Sequence, residues 1–316
     1  MHIAEGMLPL PQALVYGALS SPLLIISFQK LQKLLKYGTS EEKALQNLAG
    51  ALIFAITLFP LPVPMLGVTS HMCATPVLGI LLGFWRVVLP TALALLIQAL
   101  FFAHGGITTL GANILTLAVT GPLIAIGVFT GLKRCSLPQW ISIALACFLG
   151  DLSVYLLDAV IVGQALSGQQ GFYFWFSRIA LGFAPAQIPL AILEGLLSAY
   201  FIAFLQKKLP AFNGLKGLTQ PSNVQIKTVG TIAGLTLLLF GFSPLAFGAA
   251  FSGLDETVLE QAAIQAGVSN MAPWIDLTQG ELALTVFFLG GFLAGLLTGL
   301  NWSKLQGCKK ENSHAS

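Results

Sequence analysis

The sequence predicts an all-α integral membrane protein of about nine transmembrane helices, in which a seven-helix bundle is followed by two additional helices. Hydrophobic residue types make up 56% of the 316 residues and charged types only 9%, and the mean hydropathy is +0.84. Soluble domains average about 25% charged residues, so this chain cannot cover its surface against water. Its apolar stretches reach about 20 residues without the alternation of a barrel strand, which favours helices.

The expected spans follow the apolar segments in chain order. They cover residues 9–28, 46–62, 73–86, 88–104, 113–132, 138–160, 175–206, 228–250 and 281–301. The third is short for a bilayer and the seventh is long.

A polar stretch rich in proline and glycine divides the chain at residues 209–227. We expect this stretch to be a cytoplasmic linker between two domains. The first domain, 1–208, holds seven helices. The second, 228–316, holds two helices joined by an external loop at 251–280, which carries acidic residues and no lysine or arginine.

The positions of lysine and arginine predict the orientation in the membrane. With nine helices, only Arg178 falls on the opposite side from the other basic residues. Those are Lys30, Lys33, Lys36, Lys43, Arg86, Lys133, Arg134, Lys207, Lys208, Lys216, Lys227, Lys304, Lys309 and Lys310. The N-terminus is therefore expected outside and the C-terminus in the cytoplasm, with the protein in the inner (cytoplasmic) cell membrane.

The first two residues could form a metal chelate. The sequence begins without a basic region or cleavage motif, so we expect no signal-peptide cleavage. The initiating methionine is normally removed only when residue two is small, and His2 is large, so we expect Met1 to remain in place. The Met1 amine, the His2 amide and the His2 imidazole then form two unstrained chelate rings and occupy three corners of a square. Square-planar nitrogen sites suit Ni(II) and Cu(II), and they can hold Co(II). The alternative is that residue two is an ordinary histidine.

Two further histidines lie in predicted external loops. His71 follows a stretch rich in proline and glycine, and it could supply the fourth nitrogen. Non-helical backbone at membrane depth is tolerated where it lines a protein cavity. His104 opens a glycine-rich turn that ends at Asn113, and it either hydrogen-bonds a ligand or simply ends a helix. Neighbouring Cys73 is interpreted as a packing residue.

Ionisable residues inside membrane spans are costly and suggest function. Asp151 and Asp158 share one face of the sixth helix, and Gln187 and Glu194 share one face of the seventh. They could line an ion or proton path. The preferred interpretation is that they form hydrogen bonds between helices and contacts between subunits.

The motifs that are missing restrict the function. The sequence has no GxxxxGK[ST], HExxH or GxSxG motif. Energy for transport, if transport uses any, must therefore come from elsewhere, and we do not expect an enzyme or a catalytic cofactor.

Five segments in order carry a family resemblance: Met1 to Pro9, Thr69 to His71, Phe102 to Asn113, Phe148 to Asp151, and Gln187 to Gly195. Over residues 1–208 the sequence resembles the CbiM/NikM family, the substrate-capturing membrane subunits of energy-coupling-factor cobalt and nickel transporters. At Phe251 to Asp255, at Pro273 and Trp274, and at Gly280 to Leu282, residues 228–316 resemble the small CbiN partner subunit, which suggests a natural fusion.

The resemblance implies a metal bound by Met1, His2 and His71, with Glu5, His104 and Asn113 as candidates for hydrogen bonding around the ligands. It also implies separate partners: a CbiQ-like coupling subunit and CbiO-like ATPase subunits. The histidine motifs look closer to the cobalt branch, so Co(II) is the expected cargo and Ni(II) the alternative.

Two other classes of function compete. A self-sufficient secondary transporter or channel would use Asp151, Asp158 and Glu194. A membrane metalloenzyme would need an open coordination position and a general base, for which Glu5 is the candidate.

Overall fold

A computed structural model describes residues 2–63, 68–102, 104–135, 137–168, 170–208, 230–231, 252–254, 256–267, 296 and 299. These residues are mainly helical, which confirms the predicted helical class. Five of the described helices are long and apolar enough to cross a membrane, as expected of a multi-pass membrane protein. They are Leu10–Tyr37, Phe84–Phe101, Leu110–Leu132, Gln139–Ala165 and Phe172–Lys208.

The described elements are α1 (Leu10–Tyr37), α2 (Ser40–Leu58), β1 (Leu61–Val63), β2 (Val68–Ser70), α3 (Thr75–Leu82), α4 (Phe84–Phe101), α5 (Leu110–Leu132), α6 (Gln139–Ala165), α7 (Phe172–Lys208), β3 (Ser252–Gly253) and α8 (Gln261–Gln265), with a π-helical turn at Glu256–Glu260 before α8. Helices α1 to α7 follow the order of the first seven predicted spans. The predicted linker and nearly all of the last two spans lie outside the described residues.

Short sequence signals set the first helix boundaries. A reciprocal capping box begins α2: Thr39 Oγ1 accepts from the Glu42 N–H at 3.2 Å, and the Thr39 N–H donates to Glu42 Oε2 at 3.1 Å. Helix α1 continues to Tyr37, beyond its predicted end at residue 28. Its last turns carry lysines, whose long side chains can reach the headgroup region.

The third helix is shorter than its predicted span of 73–86. Helix α3 has 8 residues, a length of about 12 Å, which cannot cross a bilayer. Gly83 ends α3 and joins it directly to α4 with a φ of 87°, a conformation that favours glycine.

The sequence predicts an all-α fold, but the described residues also form three short strands. Strand β1 pairs antiparallel with β2, placing Leu61 opposite Ser70. Strand β3 pairs parallel with β2, placing Val68 opposite Ser252. A piece of the predicted 251–280 loop therefore extends the strand pair that leads into His71.

The residues before α1 lie inside the protein. Ile3 and Met7 are buried in the main hydrophobic core, together with Leu95 of α4 and Leu117 of α5. Helices α1 and α5 approach closely because Gly111 has no side chain: a Cβ at Gly111 would lie 2.6 Å from the Gly17 Cα. The N-terminal segment is thus held against the first turn of α5.

Candidate metal centre

Three histidines that are distant in sequence converge. His2, His71 and His104 each offer a ring nitrogen, and these nitrogens lie within 4.8 Å of one another. The His2 ring centroid is 4.3 Å from that of His104 and 5.2 Å from that of His71. Small movements of the rings would bring the three nitrogens to about 2.0–2.1 Å from one shared ion, the length of a typical zinc–imidazole bond.

Asn113 fixes the backbone next to His2. Its side-chain oxygen accepts from the Ile3 N–H at 2.7 Å, and its amide nitrogen donates to the Ile3 carbonyl at 3.0 Å. Thr109 Oγ1 also donates to the Ile3 carbonyl, at 2.6 Å. Asn113 thus makes the two hydrogen bonds to Ile3 that a neighbouring strand would make. Because Ile3 follows His2 directly, these bonds also hold His2 at the cluster.

Glu5 secures the same segment from its other side. Its carboxylate accepts from the Thr108 hydroxyl at 2.6 Å and from the Thr108 N–H at 3.1 Å. Gly106 permits this approach, because a Cβ there would lie 2.7 Å from the Glu5 Cα. The described hydrogen bonds of Glu5 therefore anchor the N-terminal segment to the turn after His104.

The loop that carries His71 is held through its backbone. The Tyr155 hydroxyl of α6 donates to the His71 carbonyl at 3.2 Å, and His71 Nδ1 lies 3.1 Å from the Met72 carbonyl. A carbonyl oxygen can only accept, so this contact places the ring proton on Nδ1. The lone pair then resides on Nε2, the nitrogen left to bind a metal.

Behind His71 lies a buried polar network that joins the loop to α6 and α7. Glu194 accepts from the N–H groups of Cys73 and Ala74 at 2.7 and 2.8 Å. The Cys73 thiol donates to Asp151 at 2.8 Å, and the Gln187 amide donates to the other Asp151 oxygen at 2.7 Å. For Asp151 and Glu194, these contacts match the interpretation as hydrogen-bond partners between segments.

Cys73, Asp151 and Glu194 also lie close enough together to hold an ion. Their polar atoms already have the protein partners just described, so the network has the properties of a support for the His71 loop. Asp158 is buried in α6.

Sequence reasoning missed several members of this support. Ser70 hydrogen-bonds Gln187 at 3.2 Å and lies 3.2 Å from the Tyr155 hydroxyl. Tyr155 lies one helical turn after Asp151, so a shared face was a visible signal. The role of Cys73 was visible only as its position beside His71, and the interpretation as plain packing overlooked its thiol hydrogen bond.

Burial favours the neutral form of the His2 and His104 imidazoles. Burial lowers the pKa of His2 well below its usual range, and the nearby His104 lowers it further. Burial lowers the pKa of His104 to about 3. Neutral imidazole is the form that binds metals, so His2 and His104 are in their ligating state around neutral pH.

The structure thus brings the three histidines singled out from sequence into one cluster, with Asn113 and Glu5 holding the segment beside it. Met1 lies outside the described residues, so its predicted amine ligand stays a prediction. His314, in the tail, also lies outside them.

An apolar helical bundle with converging imidazoles defines a membrane protein of the transition-metal transporter type. A crystal structure described as a truncated transition metal transporter matches with a TM-score of 0.56 and 25% identity, covering 66% of this chain and 99% of that one. Residues 2–212 match the family described as the cobalt uptake substrate-specific transmembrane region, CbiM. The chain therefore belongs to the CbiM family.

Curated relatives extend the match. The cobalt transport protein CbiM of Geobacter sulfurreducens is 34% identical over 312 residues, covering 96% of this chain and 90% of the relative. The cobalt transport protein CbiM of Sorangium cellulosum is 38% identical over 213 residues, covering 66% of this chain and 93% of the relative. The region after residue 212 is thus shared with the Geobacter protein.

Proposed function

We propose that this chain is the membrane subunit that captures Co(II) at the external face for an ATP-driven uptake transporter in the cell membrane. The observation that carries the proposal is the convergence of His2 and His71 next to a pinned N-terminal segment. The Met1 amine, the His2 amide nitrogen, the His2 imidazole and His71 would supply four nitrogens. Ni(II) is the alternative cargo.

Family membership supports cobalt, since the matched family is described by cobalt uptake and the two relatives are named cobalt transport proteins. We further propose that residues 1–208 form the capture domain and 209–227 a cytoplasmic linker. Residues 228–316 would act as a CbiN-like unit. CbiQ-like and CbiO-like subunits would couple ATP hydrolysis to release.

Uptake in cells tests this function. Cells that express the chain together with its coupling and ATPase subunits should accumulate radioactive Co(II), and an ATPase-inactive set should not. The secondary-transporter alternative requires uptake to persist without active ATPases and to fall when Asp151, Asp158 or Glu194 is neutralised. Persistence of that kind would reject the ATP-driven proposal.

Asn113→Leu should weaken Co(II) binding by about 10–100-fold, the usual cost of losing a partner that orients a metal ligand. Leucine matches the size of asparagine but removes both hydrogen bonds to Ile3. Isothermal titration of purified protein with Co(II) measures the change.

Asn113→Asp is the matched comparison, because aspartate keeps the acceptor for the Ile3 N–H and should lose less affinity than leucine does. Equal affinity in the natural protein and Asn113→Leu would show that the position of Ile3 does not control the site.

A further inference from the structure

We infer that His104 binds the metal ion from the face of the four-nitrogen square, as a fifth ligand, and that this ligand makes the site prefer Co(II) over Ni(II). The inference rests on the proposed capture site and deepens it. It gives His104 a direct role in selecting the cargo.

The first support is the state of the His104 ring. Its Nε2 atom is buried and has no hydrogen-bond partner among the described residues. Burying a polar nitrogen without a partner costs free energy, so such an atom calls for an explanation. A metal ion bound between the three rings would satisfy it.

The second support is the placement of the ring. His104 lies 4.3 Å from the His2 ring and 5.3 Å from the His71 ring, measured between centroids. It is inclined by 58° to the first ring and by 66° to the second. A ring so inclined is not coplanar with the His2 imidazole, which belongs to the chelate.

The local backbone aims His104 at this position. Its N–H donates to the Gln98 carbonyl of α4 at 3.2 Å, so the residue continues from the end of that helix. Gly105 follows with a φ of 86°, and a Cβ there would lie 3.2 Å from both the His2 Cβ and the Asn113 side chain. The turn is therefore packed directly against the residues that hold His2.

Coordination geometry decides where His104 can bind. The amine, amide and imidazole of the N-terminal chelate are coplanar, and His71 completes the square. An additional imidazole in the same cluster can approach only from above or below that plane.

The electron count of the metal then determines selectivity. Square-planar nitrogen coordination suits Ni(II), whose filled orbital perpendicular to the plane repels a fifth donor. Low-spin Co(II) has one electron fewer, and that orbital is half-filled, so an axial nitrogen stabilises it. An axial His104 therefore favours Co(II) specifically and adds nothing for Ni(II).

Electron paramagnetic resonance of the Co(II)-loaded full chain, prepared without oxygen, tests the inference. The natural protein should give a low-spin Co(II) spectrum whose cobalt lines are each split into a triplet by one axial ¹⁴N nucleus. Protein labelled with ¹⁵N-histidine should show a doublet instead, and this test needs no substitution. In His104→Asn the splitting should disappear, whereas His314→Asn should leave it unchanged.

Titrations give the second readout. His104→Asn should weaken Co(II) binding by about tenfold or more and leave Ni(II) binding close to that of the natural protein. A triplet that persists in His104→Asn, a natural protein without axial splitting, or equal losses for both metals would overturn the inference. Failure of the capture site itself is distinct, because the natural protein would then bind no Co(II) through its N-terminus.

Discussion

Inserting two glutamines between Met1 and His2 should abolish high-affinity Co(II) binding, lowering it by more than about 100-fold, beyond the usual cost of losing an outer partner. Asn113 and Thr109 hold Ile3, so His2 can keep its place while the amine is displaced along the chain. The amine, amide and imidazole then no longer belong to adjacent residues. Equilibrium titration with Co(II) and Ni(II) measures the loss.

The insertion uses two large residues so that no new chelate can form at the N-terminus. A small residue at position two would let the initiating methionine be removed, which could restore a histidine at position two. A histidine at position three would build a new four-nitrogen site from the amine and two amides. With glutamines the histidine moves to position four and neither route is open.

The matched control inserts the same two glutamines after Gly168, an exposed turn residue between α6 and α7. It should bind Co(II) as the natural protein does. If the N-terminal insertion also leaves binding unchanged, the N-terminal chelate does not exist and the proposed capture site must be abandoned.

Glu194→Gln should destabilise the folded protein by about 3 kcal/mol, because a buried backbone N–H left without an acceptor costs about 1–3 kcal/mol and here it would also face an amide donor. Glu194 accepts from two backbone N–H groups, of Cys73 and Ala74. Glutamine keeps one acceptor oxygen and turns an amide donor towards the other N–H. The apparent melting temperature in detergent should fall by about 10 °C.

Glu194→Gln would weaken contacts to the loop that contains Ala74, and this loop depends on such contacts for its conformation. Ala74 has a φ of 59°, which is unfavourable for a residue with a side chain and persists only when surrounding contacts impose it. With the Glu194 contacts weakened, the loop that presents His71 should also bind Co(II) less tightly.

Glu42→Gln is the control, because Glu42 is only partly buried and a glutamine can still serve in the capping box. It should melt close to the natural protein. If Glu194→Gln keeps its melting temperature and Co(II) affinity but loses transport, Glu194 belongs to an ion path and not to the support of the loop.

The long helices and the candidate histidines could be predicted from sequence for a simple physical reason. Lipid-facing helices must be apolar along their length, so hydropathy locates α1 and α4 to α7. The proposed His2 chelate depends on adjacent atoms, so proposing it needs no tertiary information. His71 could be grouped with it because both fall on the same side of the predicted topology.

Other features depend on contacts that a linear sequence hides. Hydropathy alone does not distinguish the short α3 from the buried loop before it, since both are apolar. The network of Cys73, Asp151 and Glu194 joins three separate segments. The π-helical stretch Ile114–Thr120 follows Asn113 inside α5 and has no composition that sets it apart from an α-helix.

The pairing of Ile3 with Asn113 spans 110 positions of the chain, and this separation imposes an order on biogenesis. A ribosome makes the amino terminus first, but the groove that receives it is complete only after the start of α5 has been synthesised. Until then the first residues have no place to dock. The end of the chain that carries the proposed metal ligand His2 therefore docks only after residues that are translated much later, although it is the first to be made.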